Sequence, residues 1–167
     1  MPQKCSFRRM ALLVTGLLIT AAASADEAGT SSTILGTQPD LADGARALQL
    51  RQFEEGVRLT LQGLKQEASR RQRASGLSNL CAGYAALQRY DEAIEACNAA
   101  MDLNAPRWRV YNNRALALLG KGQVIAARRD VDAGLAMNPD SNSLRKVLVL
   151  VEIAEISPEI TIAAVAP

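Results

Sequence analysis

Residues 80–101 read LCAGYAALQRYDEAIEACNAAM. Small residues at Cys81, Ala93 and Ala100 are interleaved with large apolar ones at Leu80, Tyr84, Leu87, Tyr90 and Ile94. Two helices that approach closely need this mixture, because only small side chains fit where the backbones cross and larger ones must fill the space beside them. The stretch therefore reads as a pair of antiparallel helices.

The same pattern recurs on both sides. Sliding the chain by 34 residues places Asn79 on Asn113, Cys81 on Ala115, Tyr84 on Leu118, Tyr90 on Val124, Ala93 on Ala127, Cys97 on Val131 and Leu103 on Met137. A third copy lies upstream at an offset of 37, with Gly44 on Cys81, Leu50 on Leu87, Phe53 on Tyr90, Gly56 on Ala93 and Gly63 on Ala100. The three extra residues fall in the basic stretch Ser69–Arg73 and extend a helix or its turn. The units are 37–70, 74–107 and 108–141. One such pair cannot bury its apolar face alone, so neighbours are expected to stack. Composition agrees, since 49% of the residues are apolar but only 4% are aromatic. That balance favours helices packed through alanine and leucine over a β-sandwich.

The L-small-x-x-Y, aromatic-x-x-A and small-residue spacing of 80–101, repeated over 108–139 and closed by Asn138-Pro139, resembles the tetratricopeptide repeat family. The resemblance covers roughly 37–141. It departs at Pro106, one residue late, and in the first unit, where Ala47 replaces the tyrosine and Gly56 and Gly63 interrupt the second helix. It implies an all-α fold, a right-handed superhelical array of three helix pairs with a C-terminal capping helix. It also implies a protein or peptide partner bound in a concave groove lined by the first helix of each unit. Mapped here, that face is Ser78, Asn79 and Ala82, with Ser75 and Ala86, then Arg109, Asn112, Asn113 and Leu116, and from the first unit Leu41, Ala45 and Leu48. Asn79 and Asn113 carry paired donor and acceptor groups suited to a peptide backbone, and Arg109 suits a carboxylate. The family's best-known groove grips a terminal carboxylate with basic residues and asparagines. Asn79, Arg109 and Asn113 match part of it, whereas Leu41 and Ala45 stand where a lysine and an asparagine belong.

The N-terminus reads as an export signal. Lys4, Arg8 and Arg9 precede an apolar run, Ala11 to Ala23, and Ala23-Ser24-Ala25 is a small-x-small exit. The run is shorter than the roughly 20 residues that span a bilayer, so cleavage after Ala25 is expected to leave no stable membrane anchor. Residues 26–39 read as a flexible leader and 157–167 as a loose tail. The localisation expected is periplasmic or secreted.

The signal holds three bases and no acid, so the formal charge of +2 becomes about −1, with 16 basic against 17 acidic residues. That balance points away from nucleic acid and anionic membranes, and no basic partner surface is expected. Histidine is absent, which removes the usual general base and the commonest metal ligand. With no nucleophile–base pair and no phosphate loop either, the chain reads as a binding protein with no catalytic residue, metal or cofactor. Asp91, Glu92 and Glu95, and likewise Asp130 and Asp132, read as solvated surface.

Cys5 leaves with the signal, and Cys81 and Cys97 remain. An oxidising compartment permits a disulfide between them. Opposing Cys81 to Ala93 puts the two cysteines about one turn out of level, which favours buried free thiols packed as small apolar residues. A seventh helix is expected over 142–156, with Leu144, Val147, Leu148 and Val151 inward. Val149, Leu150, Ile153 and Ile156 then lie outward, as a face for a second copy or a partner.

Overall fold

The computed structural model describes residues 39–103 and 107–157. The expected signal over 1–25, the expected leader up to residue 38 and the expected tail beyond Ser157 lie outside the described residues. The described residues form seven helices and no strand: α1 (Pro39–Gln49), α2 (Phe53–Lys65), α3 (Arg70–Ala86), α4 (Tyr90–Asp102), α5 (Trp108–Gly120), α6 (Val124–Met137) and α7 (Asn142–Ile156). None is long and apolar enough to cross a membrane.

The helices pack as three hairpins, α1–α2, α3–α4 and α5–α6, with α7 against α5 and α6. The odd helices also touch in succession, α1 on α3, α3 on α5 and α5 on α7. Each hairpin turns in the same way. Arg51, Gln88 and Gly122 take left-handed φ values of 61°, 59° and 72°. The amide of the next residue then donates back five residues, from Gln52 to Ala47 O, Arg89 to Tyr84 O and Gln123 to Leu118 O. This closes the orphan carbonyls of each first helix. Arg51 and Gln88 accept a conformation costing about 1 kcal/mol that only Gly122 adopts freely.

The crossing level inside each hairpin is shared too. A Cβ on Gly44 would stand 2.4 Å from Thr60 Oγ1, so α1 and α2 meet there through a glycine. The matching positions in the second hairpin are Cys81 and Cys97, with Cα atoms 5.3 Å apart. In the third they are Ala115 and Val131, both fully buried in one cluster. The two residues are 16 apart in sequence in every hairpin. The sequence reading opposed Cys81 to Ala93, one turn earlier; in the first hairpin Gly56 O also lies 3.1 Å from the Cβ position on Gly44, so the crossing spans Gly56 and Thr60.

The three extra residues at Ser69–Arg73 lengthen α3 to 17 residues, against 11 in α1 and 13 in α5. Ser69 opens it with a reciprocal cap, its hydroxyl accepting from the Gln72 amide while the Gln72 side chain accepts from the Ser69 amide. α3 touches α1, α2, α4 and α5. Ten of its residues are buried, mostly Ala, Gly and Ser, so it presents no simple apolar stripe.

Candidate functional site

The residues assigned to a solvent-facing groove lie mostly inside the protein. Ser78, Asn79, Asn112 and Asn113 are fully buried, and Ala82, Leu116 and Ser75 nearly so. Leu41, Ala45 and Leu48 of α1 are buried as well. The reason is the contact between successive odd helices: the face of α3 and α5 turned away from the hairpin partner meets the neighbouring odd helix. Asn113 shows it directly, its Nδ2 donating to the Ser78 carbonyl of α3 at 3.3 Å, while Asn112 Nδ2 donates to Asn113 Oδ1 at 3.3 Å. Asn113 thus satisfies backbone between helices, and Asn112 in turn bonds to its side chain, as buried polar groups require partners. Arg109 alone of the seven binding candidates reaches solvent at a charged tip, its guanidinium stacked 4.4 Å above the Trp108 ring.

Cys81 and Cys97 are bonded to each other and fully buried. The expectation of free thiols is corrected here. Its error was the helix level, since Cys97 and not Ala93 lies across from Cys81. The Cys97 sulfur also rests 3.3 Å from the Val110 carbonyl, where α4 meets α5.

On α7 the inward side is Leu144, Val147, Val151 and Ala154, all buried. Val149, Ile153 and Ile156 stand exposed along one stripe. Leu150 is half-buried and packs on the core beside Leu148, so it belongs to that stripe only in part.

Asp91 meets the Lys121 ammonium and Glu92 the Arg89 guanidinium, both at the surface. The Arg89 hydrogen bond holds the Glu92 carboxyl below its ordinary range. Asp132 is exposed beside Arg128. Asp130 departs from the expected solvated surface, because it is buried and takes a two-pronged contact from Arg114, Nε and Nη2 each at 2.7 Å. Arg114 Nη1 donates to Asn98 Oδ1 at 2.6 Å, so one guanidinium joins α4, α5 and α6. That hydrogen bonding raises the Arg114 pKa above its ordinary value despite the loss of water.

Charge is sorted by helix. α3 carries three arginines and no acid, α4 four acids and no base, and α5 two arginines and no acid. Arg70, Arg71 and Arg73 are exposed in the first turn of α3, and Arg107 and Arg109 flank the start of α5 half-exposed. The Asn113–Ser78 contact sets the parallel level of the two helices. Counting back five residues from each brings Trp108 level with Arg73. The five guanidinium stems thus share one end of two touching helices. None forms an ion pair among the described residues. The near-neutral net charge hid this grouping. No protein-family model matches the chain, and a search of curated proteins finds no relative.

Proposed function

We propose that the chain is an exported interaction module of the tetratricopeptide type, in which the three hairpins form a right-handed superhelical array capped by α7. It binds a protein or peptide partner and carries no catalysis of its own. The observation that carries this reading is the repeated hairpin, with the same left-handed turn at Arg51, Gln88 and Gly122 and the same 16-residue crossing below it. Such stacks present extended surfaces with no need of a reaction centre. With the asparagines enclosed, the partner is expected at the end of α3 and α5 where Arg109 and Trp108 are partly exposed. Export rests on the basic, apolar and small-residue order of the first 25 residues, and a buried disulfide suits the oxidising compartment it implies.

A second reading has its own observation. Val149, Ile153 and Ile156 form an exposed apolar stripe on α7, which suits a second copy of the chain packed in the same way.

Both are tested by placing a photo-crosslinking residue at Arg109, at Val149 and, as a control, at exposed Ile125 in cells. The binding reading expects one identified partner captured from Arg109 and not from Ile125. Self-capture from Val149 alone would instead support the oligomer and remove the case for a binding end.

A further inference from the structure

We infer that the arginine-lined end of α3 and α5 receives an acidic, extended polypeptide segment, held through its side-chain carboxylates by Arg70, Arg71, Arg73, Arg107 and Arg109. The inference rests on the binding-module reading and names the chemistry of its partner.

The placement of these arginines is the starting point. The first turn of a helix carries positive partial charge, and a base there is disfavoured by about 0.3–1 kcal/mol. Neither α3 nor α5 has an acid in its first turn. Local stability therefore favours different residues at Arg70, Arg71, Arg73 and Arg109. Of the eight described arginines elsewhere, six are paired, Arg46 with Asp43, Arg58 with Glu55, Arg89 with Glu92, Arg114 with Asp130, Arg128 with Glu155 and Arg145 with Asp140, while Arg51 lies over the Phe53 ring and Arg129 stands alone on α6. The five at this end have no such partner among the described residues.

The chemistry of this end suits carboxylates. Guanidinium forks bind them in two-pronged fashion, and clusters of arginines are a recurring means of recognising acidic motifs. Arg109 is already oriented by its stacking on Trp108. The scale suits a short segment. Successive levels on a helix differ by about 1.5 Å and packed helices by about 8–10 Å. The patch is therefore roughly 10 Å across, the span of three or four extended residues. Exposed Glu67 and Asp102 lie close in sequence to Arg70 and Arg107, and Asp40 is held by Gln62 and Gln66, so the surface near these arginines is mixed in sign. A nucleic acid or a membrane covers a wider area and would also meet the acid-rich α4, whereas a narrow acidic strand needs only the width of the arginines. The site differs from a grip on a chain terminus, because the asparagines such a grip uses are enclosed between helices.

The test is fluorescence anisotropy of the exported chain with a labelled oligoglutamate peptide carrying a C-terminal amide. Saturable binding is expected at low ionic strength, weakening as salt is added. Arg70→Glu/Arg71→Glu/Arg73→Glu should weaken it at least about tenfold, and Arg107→Glu/Arg109→Glu likewise. Thermal melting of both variants should hold or rise, since an acid in a first turn is favourable, which separates lost binding from lost folding. Absence of saturable binding, or equal binding by the reversed variants, would overturn the proposal. So would tighter binding to a single-stranded oligonucleotide or to anionic phospholipid vesicles, or a requirement for a free C-terminal carboxylate. A partner crosslinked from Arg109 whose contacting segment lacks acids would sink this inference and leave the binding-module reading standing.

Discussion

Replacing Cys81 by alanine and Cys97 by valine, the pair that occupies the matching positions of the third hairpin, is expected to keep all seven helices and lower stability by about 3 kcal/mol. The bond closes a loop over a sequence separation of 16, so breaking it returns conformational freedom to the unfolded chain. The packing itself changes little, because Ala115 and Val131 fill the same crossing without a bond. For a fold of this size the melting temperature should drop by about 10 °C. Urea unfolding of the oxidised chain with and without reductant should show the same gap, and the reduced chain should gain the mass of two hydrogens. Equal stability in both conditions, with no change of mass, would mean that the cysteines are free thiols.

Asp130→Ala is expected to cost about 2–3 kcal/mol, less than the loss from a wholly enclosed ion pair because the Arg114 side chain keeps 24% exposure. The loss comes from stranding a partly buried guanidinium that now holds three helices together through Asp130 and Asn98. Removing both charges as Arg114→Met/Asp130→Leu should recover most of the stability, since two apolar side chains of similar volume avoid the desolvation cost altogether. A double-mutant cycle in urea gives the coupling directly. If the single variant unfolds at the wild-type midpoint, the pair is ornamental and the joint between α4, α5 and α6 rests on apolar contact alone.

The two residues show where sequence pattern stops being informative. Spacing tells which side of a helix packs, so the hairpins, their offsets and the inward side of α7 were all visible in the residues. Spacing does not tell the level at which the opposing helix crosses. A shift of one turn turned the Cys81–Cys97 contact into an apparent mismatch. The odd helices added a second difficulty, since each is buried both by its hairpin partner and by the next odd helix. Ser78, Asn79, Asn112 and Asn113 then read as solvent-facing although they lie in that seam. Asp130 was hidden for the converse reason: an acid on a helix normally faces water, and only the position of Arg114 one helix away shows otherwise. The arginines were concealed by summation. A total near zero says nothing about the acid-free α3 and α5 beside the base-free α4.

The open end of α3 and α5 as the place of partner contact is the claim on which the functional account turns. Amide hydrogen exchange of the chain from residue 26 onward, alone and saturated with the partner captured from Arg109, tests it residue by residue. Slowed exchange is predicted over 70–73 and 107–109 with α6 and α7 unchanged. Protection confined to the Val149–Ile156 face of α7, or no protection anywhere in α3 and α5, would contradict it.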